Sequence, residues 1–298
     1  MGRRRTSLTP ILFIIPAFLF ILTIVIGPSL ATVYMSFSVE GKLTLEKYFE
    51  VVTETSPKKA LVLLPEGLEP PPWGALVHNI VWMAIHIPLV TLLGLFLAYI
   101  LRYTIGSSIV KAIIFIGMVI PMVVGGLIIR FMFDKDVGVV PIVFDVLGLE
   151  SLAKTWTSYP QLSLLALILG SVWLWTGFSL TVYSAALHAI PASYIEAARI
   201  DGAGHWHIFW KIVFPLVKPA TIIVVIMTML WDLKIFDIVY VATLGGPGGS
   251  SNVLALVMYL YMARAIDYNA AAVVAVILTL LTIPPGLWLA LRGVRSGR

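Results

Sequence analysis

An otherwise apolar stretch, residues 219–240, carries Trp231, Asp232, Lys234, Phe236, Asp237 and Tyr240. Ionisable groups are costly in hydrocarbon, so where they occur they mark binding or partner contacts. Planar acceptor oxygens beside aromatic faces are the groups that hold a hydroxylated ring, by hydrogen bonding at its edge and stacking on its face. Asp232 and Phe236 are four apart and fall on one face of a helix. Asp237 lies about a turn and a half beyond Asp232. Tyr259 and Asn269 are further candidates, with Trp173, Trp175 and Tyr183 beside them. The plainer alternative is that Asp232 and Lys234 neutralise one another or pair with another chain, and that Asp237 caps a turn.

Other chemistries find no support. The chain has no cysteine, which excludes disulfides, thiolate catalysis and zinc–sulfur sites. His205 and His207 are two residues apart and do not share a helix face, so no metal is expected there. No G-x-x-x-x-G-K-[ST] loop occurs, so the chain has no phosphate cradle of that kind for ATP. No catalytic constellation gathers at either end of the apolar segments. His86, inside such a segment, reads as a packed, hydrogen-bonded core residue. Amides are scarce (Asn79, Asn252, Asn269 and Gln161), which fits a heat-adapted source.

The elements that must position these residues are transmembrane helices. Of 298 residues, 60% are hydrophobic and 12% charged, against about 25% charged in soluble domains. A bilayer core takes about 20 apolar residues per helix. Six segments qualify: 10–36, 77–101, 109–133, 162–189, 219–240 and 268–291. They lack the period-two alternation of barrel strands. The expected fold is an all-α polytopic membrane protein with six transmembrane helices in a single domain, 1–298. The first segment is too long for a signal core and no small-x-small cleavage site follows it.

Charge sets the orientation. Residues 1–9, 102–111, 190–218 and 292–298 hold eleven bases and two acids, Glu196 and Asp201, for a net +9. The other connecting segments hold eight bases and eleven acids, for −3. The positive-inside rule places both termini and the 190–218 loop in the cytoplasm. The basic pI reflects this asymmetry and does not imply nucleic acid.

The extracytoplasmic loop 38–76 includes Pro70, Pro71 and Pro72, which cannot sit inside a helix. Trp73 and Tyr48 suit the interfacial belt. Pro121 and Gly125–Gly126 predict a kink in the third span. Residues 244–249, LGGPGG, form an outer turn. Residues 253–266 are apolar but short, which predicts an interfacial or re-entrant helix.

The loop 190–218 cannot cross lipid. Pro191 suits a helix start. Ala192 to Ile200 is a good helix former that Asp201-Gly202 stops. Ala203 to Phe214 restarts a helix that Pro215 ends or kinks. Ile195, Ala198, Phe209, Ile212 and Val213 supply apolar faces, while Glu196 is an exposed acid. With no more than this, the loop is a cytoplasmic helical hairpin.

Residues 196–203, EAARIDGA, followed by FPLVKP at 214–219, resemble the EAA loop of importer permeases of the ATP-binding-cassette class. The matching positions are Glu196, Ala197, Ala198, Asp201, Gly202, Ala203, Phe209, Ile212, Pro215 and Pro219. FDIVYVATLGGPGGSSNVLALVMYLY at 236–261 and GSVWLWTGFSLTVYSAALHAIP at 170–191 look like the carbohydrate-uptake branch. The TLGGPGG stretch is similar to the maltose-type first permease subunit. The charges of Asp232 and Lys234 depart from the neutral residues usual there.

The resemblance implies a permease subunit in a prokaryotic cell membrane, forming a sugar pathway by alternating access. It implies that Glu196, Ala197, Ala198, Asp201, Gly202, Ala203, Phe209 and Pro215 contact an ATPase. It also implies partners: a second homologous permease, two ATP-binding-cassette ATPases and an extracytoplasmic solute-binding protein. No cofactor is expected in this chain, ATP and magnesium belonging to the ATPases. Three rivals are the same architecture importing glycerol phosphate or a peptide, an ion-coupled secondary transporter, and an integral-membrane enzyme. Phosphate would call for Arg or Lys in the pathway, where only Lys234 qualifies. A secondary transporter would show inverted repeats and paired broken helices, and neither is visible in the sequence.

Overall fold

The computed structural model describes residues 9–56, 58–62, 73–102 and 104–296. The triple proline at 70–72 and the bases Arg3, Arg4, Arg5 and Arg298 lie outside them. Helices α1 (Thr9–Ile21) and α2 (Gly27–Phe37) flank a π turn, Leu22–Ile26. Strands β1 (Ser38–Val39) and β2 (Lys42–Leu43) pair antiparallel before α3 (Glu46–Thr53). Then follow α4 (Ala75–Ile100), α5 (Ser107–Val119), α6 (Met122–Met132), α7 (Val139–Val146) and α8 (Pro160–His188). The loop helices are α9 (Ala192–Ile200) and α10 (His205–Ile208), the latter running through a π turn, Phe209–Val213, into α11 (Phe214–Leu233). The chain ends with α12 (Asp237–Ala242), α13 (Leu254–Tyr259) and α14 (Tyr268–Ser296). Among the described residues five helices are long and apolar enough to cross a membrane, and six spans result when the bent pair α5–α6 counts as one.

The architecture is built on α8. Two thirds of its apolar window (67%) is buried within the chain, whereas the window of the first span is 0% buried. Packing around α8 depends on small residues, as expected where lipid supplies no hydrophobic drive between helices. A Cβ at Gly94 of α4 would fall 2.0 Å from Ser179 Oγ of α8. A Cβ at Gly170 would fall 2.7 Å from the Ile129 side chain of α6.

The kink expected in the third span is present and sharp, α5 and α6 meeting at 105°, while two other expectations are corrected. The break sits at Ile120–Pro121, both in extended conformation, while Gly125 and Gly126 are helical and take Leu174 and Ile238 against them. Pro215 neither ends nor breaks the loop's second helix. The π turn shifts the hydrogen bonding just ahead of it, the Phe214 amide donating to the Phe209 carbonyl, and the helix is continuous from His205 to Leu233. The fifth span then stops at Leu233, well short of 240. Phe236 is non-helical (φ −138°, ψ −59°), so Asp232 and Phe236 do not share a helix face.

Candidate functional site

The loop between α8 and α11 has an exposed rim on a buried base. Ile195, Ile208 and Val213 are buried with Leu95 and Ala98 of α4, Leu101 just after it, and Leu180 and Leu187 of α8. That base fixes the loop to the helices beneath. Glu196, Ala197, Asp201, Gly202 and Pro215 are exposed, and Ala198, Ala203 and Phe209 are half-buried. The Phe209 ring meets Tyr99 edge-on at 5.0 Å.

The stop at the end of α9 is a Schellman motif. Gly202 adopts φ +83°, its amide donates to the Arg199 carbonyl at 3.0 Å, and the Ala203 amide donates to the Ala198 carbonyl at 2.9 Å. Both bonds satisfy last-turn carbonyls and require a left-handed residue at 202. Asp201 and Gly202 are thereby held in one turn on the rim, with Glu196 in the helix ahead of it.

At the far end of α11 the residues singled out by sequence separate into four places. Phe236, Tyr240 and Tyr259 form one aromatic cluster, with ring centroids 5.2–5.4 Å apart and the two hydroxyls 3.4 Å apart. All three are half-buried. Beside Tyr240 an open cleft of about 430 Å³ is lined by Arg130, Thr157, Ser158 and Thr243. Exposed Asp237 starts α12 next to this cluster.

Trp231 belongs elsewhere. Its ring packs against Phe178 at 4.8 Å and Trp175 at 5.6 Å, beside a cavity of about 280 Å³. Asn269 also leaves the group, its Nδ2 donating to the Ser38 carbonyl at 2.5 Å.

Asp232 turns inward. It is fully buried, with its carboxylate 2.9 Å from Nδ1 of His86. Neither Lys234, which is exposed, nor the aromatic cluster touches it in any described contact. The side chain of Asn79 adds a second link, its Nδ2 donating to the Asp232 carbonyl at 2.9 Å. Sequence reasoning placed His86 in the core without its partner and gave Asn79 no role. The available signal was the spacing of Asn79, Trp82 and His86, which puts three groups with polar atoms on one face of an apolar helix.

Residues 90–291 match the family described as Binding-protein-dependent transport system inner membrane component. The chain belongs to this family. It is 55% identical over 289 residues to a probable ABC transporter permease protein of Pyrococcus horikoshii, covering 96% of this chain and 98% of that one. It is 29% identical over 296 residues to the alpha-glucoside transport system permease protein of Rhizobium meliloti, covering 96% and 82%. Among solved structures, a chain of a bacterial ABC transporter that imports the acidic polysaccharide alginate superposes with a TM-score of 0.78 at 15% identity, covering 97% of this chain and 96% of that one. The fold is thus that of a multi-pass transport permease, an integral membrane subunit of a binding-protein-dependent system.

Proposed function

We propose that this permease forms the carbohydrate pathway of an ATP-driven importer and couples it to ATPase subunits through the 190–218 loop. One observation carries the reading. A single helix runs unbroken from His205 to Leu233, 29 residues, or about 43 Å at 1.5 Å per residue. It joins the exposed loop to the turn that bears the aromatic cluster, so displacement at one end reaches the other through a rigid element.

In this reading Glu196, Ala197, Ala198, Asp201, Gly202, Ala203, Phe209 and Pro215 meet the ATPase in the cytoplasm, with both termini on the same side. Phe236, Tyr240 and Tyr259 face the solute, with Asp237 beside them. Asp232, Trp231 and Asn269 support the pathway from behind. ATP and magnesium sit on two partner ATPases. A second permease completes the pathway, and an extracytoplasmic binding protein delivers the sugar. The carbohydrate assignment draws on the alpha-glucoside relative and on an aromatic surface suited to a sugar face.

The test is ATP hydrolysis by the assembled complex in lipid nanodiscs, with its binding protein and a panel of mono- and disaccharides. One sugar stimulates hydrolysis, and Glu196→Ala removes the stimulation. Stimulation by phosphorylated or peptide solutes alone overturns the carbohydrate assignment.

A further inference from the structure

The N-terminal half of α4 carries three polar side chains that are 0% exposed: His78, Asn79 and His86. Together they hold both ends of the segment between α11 and α13, which carries the short helix α12. Asn79 is bifunctional. Its Nδ2 donates to the carbonyl of Asp232 in the last turn of α11, and its Oδ1 accepts from the amide of Leu254, the first residue of α13, at 2.9 Å. His86 adds a bond to the Asp232 side chain. His78 adds one to the far end, its Nδ1 lying 2.7 Å from the Asn252 carbonyl. The Trp73 amide donates to His78 Nε2 at 3.1 Å. Nε2 is therefore an acceptor, and Nδ1 carries the proton given to Asn252.

Phe236 and Tyr240 follow the first anchored end, and Tyr259 follows the second. One amide side chain therefore sets the separation of the two backbones that carry the aromatic cluster. Such bonds are directional, and breaking them leaves buried polar groups unpaired. The chain has three asparagines, and this clamp uses one and bonds a second through its backbone.

We propose that Asn79 and His86 are positioning residues for solute: they clamp residues 234–253 and hold the Phe236–Tyr240–Tyr259 cluster in its working geometry. This rests on the reading of that cluster as the solute surface.

The absence of cysteine allows a single spin label at Leu244→Cys, inside the clamped stretch, in the assembled complex in nanodiscs. Asn79→Leu keeps the branched outline with a larger volume and removes both bonds. It is expected to raise label mobility at 244, leave a label at Tyr194→Cys in the loop unchanged, and raise the apparent KM for uptake about tenfold with the maximal rate kept within about twofold. His86→Asn keeps a donor toward Asp232 and restores normal KM, whereas His86→Phe does not. If Asn79→Leu fails to assemble, Asn79→Ala, which removes both bonds without adding bulk or charge, is read in the same way. Unchanged mobility at 244, or a loss of maximal rate with KM unchanged, overturns the clamp. Normal uptake by Tyr240→Ala instead overturns the solute reading beneath it, whatever the label shows.

Discussion

Nδ1 of His86 lies 2.9 Å from the carboxylate of Asp232, across 146 positions of sequence, with both side chains fully buried. A charge-bearing group in such a place is tolerated only with a partner. Removing one member of a buried pair leaves the other unpaired, which costs about 3–5 kcal/mol. His86→Phe is therefore expected to lower the unfolding free energy by about that amount in detergent. The double variant with Asp232→Leu should recover most of the loss. An additive double variant would show that the two side chains do not depend on each other.

Gly202 at φ +83° holds the Schellman stop. An L-residue there costs roughly 1–2 kcal/mol, so Gly202→Ala should weaken sugar-stimulated ATP hydrolysis without abolishing it. Gly202→Pro cannot adopt a positive φ and also removes the amide that bonds Arg199. It should abolish stimulation while the membrane complex still assembles. Normal uptake by Gly202→Pro refutes the coupling role of the turn.

Glu196 is exposed on the rim, and no described hydrogen bond or ion pair engages it. Glu196→Ala should leave thermal stability of the isolated subunit within about 0.5 kcal/mol of the parent, yet eliminate stimulated hydrolysis in the complex. Equal losses in both assays would mean that the residue serves folding.

The aromatic cluster and Asn269 should respond differently. Tyr259→Ala removes a stacking face, and its signature is a raised KM for uptake. Asn269→Ala removes a bond to the Ser38 carbonyl, so its effect is a lower melting temperature with KM unchanged. A raised KM for Asn269→Ala would return that residue to the pathway.

Asp267 accepts from the Ala270 amide at 2.9 Å, capping α14, and lies 3.1 Å from Lys47 of α3. Partial burial opposes its charge, but the Ala270 amide and the Lys47 ammonium outweigh this and hold the carboxyl below its ordinary value. Burial likewise opposes the charge on Lys47, but Glu50 and Asp267 outweigh it and raise that group. A lowered acid stabilises above its unfolded value, about 3.9, and loses the effect as pH falls through the folded value. A raised base stabilises below about 10.4 and loses the effect as pH rises through the folded value. The link is therefore constant across neutral pH. Asp267→Asn keeps a capping oxygen and loses the charge, so its melting-temperature deficit should be flat from about pH 5 to 9 and vanish only below about pH 4. A deficit that changes through pH 6–8 would contradict this assignment.

Local signals in the sequence determined the membrane class, the approximate spans, the helix at Ala192–Ile200 and its stop at Gly202. Hydropathy over about 20 residues, a Pro at a helix start and a Gly after its end each act within a turn or a bilayer thickness, so they are legible without partners. The same locality misled at Pro215 and at Asp232. Proline is read as a breaker, yet the π turn ahead of it keeps the helix intact from His205 to Leu233. Apolar continuity is read as helix, yet the chain leaves the helix at Leu233, which separates Asp232 from Phe236. Which of these residues are buried in the core was decided by the packing of α4 against the end of α11. There Asn79 and His86 capture Asp232, and the rings of Phe236, Tyr240 and Tyr259 gather in a separate cluster. Partner choice across so many intervening residues depends on which buried polar groups the fold brings within hydrogen-bond reach. Only the tertiary structure sets that distance.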